Sequence, residues 1–110
     1  MLRVFTAGIT NRTKVVLTFF SKEDGDVLIR RCAPMDFGPS RRARDKSNRF
    51  HFWDYESDEH EHVLSLIPDQ VVSIEATTEG FDRAEFVTWQ PIVWFYPRDW
   101  GAYSGAAAAA

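Results

Sequence analysis

The sequence has a single cysteine, Cys32, among 110 residues, and this scarcity excludes an internal disulfide. No apolar run is long enough to cross a membrane, and the first residues lack the continuous apolar stretch of a secretory signal. A reducing cytoplasm is therefore the expected location. Because no motif places a base beside Cys32, we expect a buried thiol that packs as a small apolar group.

Catalytic and metal-binding motifs are also missing. There is no glycine-rich phosphate loop, no G-x-S-x-G and no recognisable set of nucleophile, base and orienting residue, so we predict a protein that is not an enzyme. His60 and His62 form an H-x-H among Asp58, Glu59 and Glu61, and His51 could approach them across a strand pair. No cysteine or spaced second ligand pair supports them. We therefore predict neither a metal site nor a cofactor.

Apolar and aromatic residues are plentiful. Hydrophobic residues make up 45% of the chain, with Phe 9 and Trp 4, which is enough to bury a core without disulfides. The length suits one domain, which we place at residues 1–104. The low-complexity alanine run at residues 105–110 is excluded from it.

A predicted β-hairpin at residues 14–34 organises the chain. Two runs rich in β-branched and aromatic residues, 15–20 and 27–32, flank a polar linker with the turn signal Asp24-Gly25. Pro34 is expected to end the second strand, and residues 35–48 are expected to form a long loop. A lone hairpin is marginal in water, so further strands must complete the core.

Three further strands are predicted, at residues 49–55, 62–67 and 71–76. In the first of them Phe50 and Phe52 share one face while His51, Trp53 and Tyr55 share the other, which indicates a strand covered on both sides. Residues 2–13 fit a short helix or an irregular arm better than a short edge strand. The pattern predicts an all-β fold, a small five-stranded antiparallel barrel closed on itself.

The C-terminal part is an aromatic extension. Asp82 is a candidate cap for a helical turn at residues 81–86, and Pro91 and Pro97 forbid a continuous helix or central strand beyond it. We expect this extension to wrap the barrel and complete its core. The alternative is exchange across a homodimer or docking on another protein, through Trp94, Phe95, Tyr96 and Trp100.

The order of these features resembles a WYL domain, a small SH3-like/Sm-like barrel found mostly in bacterial regulators. The similarity covers about residues 13–76: a strand VVLTFF, a turn EDGD, Arg30 four residues before Pro34, a variable loop, the aromatic strand RFHFWDY, and a corner at Asp69-Gln70-Val71 leading into VSIEA. The resemblance implies binding of nucleic acid or nucleotide-like ligands through basic and aromatic groups on the barrel.

Charge is divided unevenly along the chain. Residues 1–49 contain 11 Lys/Arg and 5 Asp/Glu, whereas residues 50–110 contain 2 and 11. Such a division lets the two halves attract each other in the folded domain, or leaves a basic patch for an anionic partner with an acidic patch elsewhere. The sequence is compatible with both arrangements.

The leading functional hypothesis is a non-catalytic regulatory or binding module that recognises a nucleotide or single-stranded nucleic acid. Its alternative is a protein-interaction module or homodimer that uses the aromatic extension. For the basic residues themselves, the plain alternative is a solvated loop. The predicted ligand contacts combine cations for phosphate with aromatic stacking surfaces: Arg30, Arg31, Arg41, Arg42, Arg44, Lys46, Arg49, Trp53 and Tyr55.

Overall fold

A five-stranded antiparallel sheet is the centre of the computed structural model, which describes residues 1–57 and 60–107. This confirms the predicted mainly β fold with a short N-terminal helix. The elements are α1 Leu2–Asn11, β1 Thr13–Ser21, β2 Asp26–Gly38, β3 Arg49–Asp54, β4 His62–Leu66, β5 Val71–Gly80, β6 Val93–Trp94 and β7 Ala106–Ala107, with 3-10 turns at Pro68–Gln70, Arg83–Glu85 and Gly101–Tyr103.

The sheet is open, and the predicted closure into a barrel is not confirmed. Its strand order is β4-β3-β2-β1-β5, so that β4 and β5 are its two edges in the part of the chain that the structure describes. No β4–β5 ladder joins these edges among the described residues, and helix α1 packs on the inner face of the sheet. The Phe5 ring lies edge-on to Phe50 and Phe52, with centroids 5.0 and 5.1 Å away.

The hairpin follows the alternation expected of a half-buried sheet. Val15, Leu17 and Phe19 of β1 are buried, while Phe20 is 42% exposed on the opposite face. Gly25 adopts a φ of 66° in the turn, a conformation that glycine reaches without a steric cost. The turn signal and the period of two therefore predicted this hairpin correctly.

Strand β2 does not end at Pro34, as the sequence suggested, but continues to Gly38. Pro34 still pairs with Phe52, and the β2–β3 register shifts between Pro34 and Asp36, so proline borders a β-bulge, where its missing N–H is tolerated. Pro34 is fully buried, and helix α1 approaches it so closely that a Cβ on Gly8 would lie 2.9 Å from its Cγ. The predicted loop is consequently shorter, at residues 39–48.

The C-terminal segment packs on its own chain. Asp82 caps the 3-10 turn that follows it, with Glu85 completing a capping box, as its sequence position predicted. Trp94 and Trp100 are 3% and 0% exposed, and the Trp100 indole Nε1 donates to the Ile9 carbonyl at 2.8 Å. The segment thus completes the core, which was the favoured expectation.

Cys32 lies in this core, and burial raises the pKa of its thiol far above the ordinary value, with the Asp54 and Glu56 charges adding to the effect. Because the thiolate is the reactive form, we expect the native protein to react with a disulfide reagent at pH 8 at least roughly tenfold more slowly than the unfolded chain. Absorbance of the released thiol would measure this. Equal rates in buffer and in denaturant would contradict a buried thiol.

Within the described residues, no helix has both the length and the apolar character needed to cross a membrane.

Candidate anion-binding cleft

A cleft of about 590 Å³ opens between the β2–β3 loop, the sheet and the C-terminal segment. We call it the basic cleft. The loop contributes Pro39, Ser40, Arg41 and Arg42; the sheet contributes Met35, Asp36, His51, Val63 and Ser65; and the C-terminal segment contributes Trp89, Val93, Trp94 and Phe95.

Two arginines stand at the rim of the basic cleft. Arg41 and Arg42 are exposed, and no salt bridge joins either of them to a carboxylate in the described ranges. Lys46 shapes the loop by donating to the carbonyls of Ser40 and Arg41 at 3.1 and 3.2 Å. Both guanidinium groups are therefore available to an anion, which they can bind through paired N–H donors.

Aromatic rings form one wall. Trp89 lies edge-on to the buried Trp94, with 5.5 Å between centroids, and Phe95 is 42% exposed. The Phe95 ring lies directly over Gly38, where a Cβ would come within 2.5 Å of its Cδ2. Glycine at this position permits the close approach of ring and strand. The wall offers stacking surface next to the arginines.

The wall is held in place by a buried carboxylate. Asp36 accepts hydrogen bonds from the backbone N–H groups of Phe95 and Tyr96, both at 2.9 Å, and from Arg98 at 3.2 Å. The Arg98 side chain is 0% exposed and lies over the Trp94 and Trp100 rings, 3.9 and 4.5 Å from their centroids.

Arg98 neutralises the charge of Asp36. Burial lowers the pKa of Arg98 to about 10, so the group stays protonated at neutral pH. Arg98 also donates to the carbonyls of Met35 and Tyr96. Because the Asp36 carboxylate is compensated, it does not oppose an anion bound at Arg41 and Arg42.

His51 provides a fixed polar group on the sheet side of the cleft. Its Nε2 lies 2.9 Å from the Gly38 carbonyl oxygen and its Nδ1 lies 2.7 Å from Ser65 Oγ. Since a carbonyl can only accept, Nε2 carries the proton and donates. These two contacts fix the orientation of the ring.

The other predicted cations do not join this site. Arg30 and Arg31 point to opposite faces of β2, because successive strand residues alternate. Arg30 pairs with Asp54 at 3.5 Å and Arg31 with Glu79 at 2.7 Å. Arg44 is exposed on the loop without lining the cleft, and the Arg49 Nε is buried with no hydrogen-bond partner among the described residues.

The predicted stacking residues are used for packing. Trp53 stacks on Phe86 with 5.9 Å between ring centroids. The Tyr55 hydroxyl donates to Glu85 at 3.3 Å, and Lys14 Nζ lies 4.1 Å from the centre of its ring. Burial, with the Glu85 charge, raises the pKa of the Tyr55 phenol above its ordinary value. The aromatic residues that line the basic cleft include Trp89 and Phe95 but neither Trp53 nor Tyr55.

The sequence placed Trp89 in the aromatic extension without a binding role and assigned Phe95 to an interaction surface. Of the four residues predicted for that surface, Trp94 and Trp100 are buried, Tyr96 is half-buried and only Phe95 is exposed. The high density of aromatic residues was the only local feature of this segment that pointed to a binding role. Its position beside the β2–β3 loop depends on contacts with Gly38 and Asp36 that are distant in sequence.

The histidines are not gathered into one site. His60 and His62 lie near each other, with ring centroids 6.0 Å apart, while His51 is at the opposite end of the β3–β4 pair. Asp58 and Glu59, which complete the H-x-H stretch, lie outside the described residues. No group of three or more residues able to hold a metal ion is present in the described part of the chain.

Together, the fold and the cleft define a small, mainly β domain with a cleft that is lined by two arginines and several aromatic rings. Comparisons with protein-family models, with curated proteins and with solved structures found nothing that matches the chain.

Proposed function

We propose that the protein is a non-catalytic binding module that recognises a nucleotide or a single-stranded nucleic acid in the basic cleft. One observation carries the proposal: Arg41 and Arg42 line the same cleft as the half-buried Trp89 and the exposed Phe95. Guanidinium groups match phosphate oxygens, and aromatic rings stack on bases of any sequence. The cleft volume of about 590 Å³ is within the range of small-molecule sites.

The WYL-like resemblance is part of this proposal. A helix followed by five antiparallel strands, with β5 returning beside β1, supports an SH3-like/Sm-like arrangement over residues 13–76. The contacts differ from those that sequence suggested. We assign phosphate binding to Arg41 and Arg42, place Arg44 and Lys46 in the surrounding positive field, and assign stacking to Trp89 and Phe95.

Removing both rim arginines tests the proposal. We expect the Arg41→Ala/Arg42→Ala variant to bind ATP and an oligothymidylate at least about tenfold more weakly, because each charged hydrogen bond contributes about 1.5–3 kcal/mol. Intrinsic tryptophan fluorescence should report binding, since a base stacked on Trp89 quenches the contribution of this one of the four tryptophans. For the oligonucleotide, the salt dependence should also fall by about 0.7 in logarithmic slope for each phosphate that the variant no longer neutralises.

A matched control removes two exposed cations elsewhere. Arg3 lies on helix α1 and Lys22 in the β1–β2 turn, so Arg3→Ala/Lys22→Ala lowers the net charge equally without touching the basic cleft. We expect near-normal binding in this control. If affinity falls equally in both variants, the effect comes from net charge and not from the basic cleft. If the wild-type protein shows no saturable binding, the proposed function is wrong.

A further inference from the structure

The fold sorts charge to opposite ends of the sheet. Because β1 to β4 alternate in direction, the β2–β3 loop lies at one end, and the β1–β2 turn and β3–β4 connection lie at the other. The loop carries four exposed cations with one carboxylate, Asp45. Among the described residues, the opposite end carries one exposed cation, Lys22, and five exposed carboxylates: Glu23, Asp24, Asp26, Glu56 and Glu61. The described residues contain no salt bridge between the two ends.

The acidic end contains a second cleft, of about 420 Å³. Phe19, Leu28 and Leu64 give it an apolar wall, and Glu23 and Asp24 lie at its border. Asp54 in the same cleft already pairs with Arg30 at 3.5 Å. The carboxylates that could bind an incoming cation are therefore those of Glu23 and Asp24.

We propose that this acidic cleft takes an arginine side chain from the β2–β3 loop of a second copy, so that copies associate head to tail. An arginine combines an apolar stem with a planar group of five N–H donors. The stem suits the apolar wall, and the donors suit the carboxylates at the border. Arg41 and Arg42 supply this chemistry because both are exposed and carry no salt bridge in the described ranges.

The arginines cannot reach the acidic cleft of their own chain. A nine-residue strand such as β1 is about 30 Å long, several times the reach of an arginine side chain, and the molecule measures 37 × 34 × 27 Å. The contact must therefore join two copies through different surfaces, which is a heterologous association. It does not depend on the proposed nucleotide binding, although an anion held by Arg41 and Arg42 would compete with it.

Sedimentation velocity without nucleotide, at about 20 mM and about 300 mM salt, tests the association. We expect the wild-type mass to rise with concentration at low salt, and the association constant to fall at least roughly tenfold at high salt because the charges are screened. Arg41→Glu/Arg42→Glu and Glu23→Arg/Asp24→Arg should each stay monomeric. An equimolar mixture of the two variants should associate again, because their reversed charges are complementary.

Circular dichroism would show whether both variants are folded. If Arg41→Glu/Arg42→Glu is unfolded, Arg41→Gln/Arg42→Gln would be used in its place. A wild-type protein that is monomeric at low salt throughout the concentration range would overturn the proposal. So would variants that associate as well as the wild type, or folded variants that remain monomeric when mixed. Nucleotide binding is measured separately on dilute protein, so failure here leaves that result unchanged.

Discussion

Replacing Asp36 with alanine should lower the free energy of unfolding by about 3–5 kcal/mol, because the Arg98 guanidinium would remain buried without its counter-charge. The Arg98 side chain is 0% exposed and the Asp36 side chain 10% exposed. The backbone N–H groups of Phe95 and Tyr96 would also be left without their acceptor. For a domain of this size, with a total stability of about 5–15 kcal/mol, such a decrease is a large fraction.

Urea unfolding followed by circular dichroism would measure the effect of Asp36→Ala. Glu79→Ala is the matched control, since Glu79 also pairs with two cations, Lys14 and Arg31, but at the surface. We expect a much smaller change in the control because exposed ion pairs contribute little. If the two substitutions have similar effects, the buried pair is not what holds the C-terminal segment on the sheet.

The same substitution links stability to the basic cleft. Asp36 fixes the backbone at Phe95, whose ring forms part of the aromatic wall. Removal of that anchor should therefore weaken nucleotide binding even under conditions where Asp36→Ala is still folded. The arginines at the rim are untouched by this change, so any decrease in affinity would come from the wall.

The strands could be predicted because alternating apolar residues and turn signals are visible within short stretches of the sequence. The β1–β2 hairpin follows from alternation and from the Asp24-Gly25 turn, and the capped turn after Asp82 follows from its capping box. Pro34 was interpreted wrongly because a proline inside a strand is tolerated only at a bulge or an edge, and the bulge depends on the partner strand. Whether the sheet closes into a barrel also depends on contacts between residues distant in sequence, here those of helix α1 with the inner face.

The cleft could be predicted only in part. A run of cations marked Arg41 and Arg42 as candidates for anion binding, and both line the cleft. Trp53 was a reasonable stacking candidate on its strand, but a residue distant in sequence, Phe86, covers it. Trp89 and Phe95, which line the cleft, reach it through tertiary contacts that leave no local pattern.

Replacing Trp100 with alanine should be about as damaging as replacing Asp36, with an expected decrease in stability of about 3–5 kcal/mol. Trp100 is fully buried, lies edge-on to Phe81, Phe86 and Trp94, and supports Arg98. Its removal would leave a large cavity where the C-terminal segment meets helix α1. Trp100→Phe should cost less, about 1–3 kcal/mol, since it removes the indole hydrogen bond to the Ile9 carbonyl and only part of the buried ring.

Thermal unfolding and sedimentation of the Trp100→Ala variant would separate the two roles considered for the aromatic extension. If the extension completes its own core, the melting temperature falls and the folded fraction keeps the mass of the wild type. If the extension instead joins two chains, the mass changes while the folded domain keeps its stability. The contact between Trp100 and Ile9, both 0% exposed within a single chain, leads us to expect the first result.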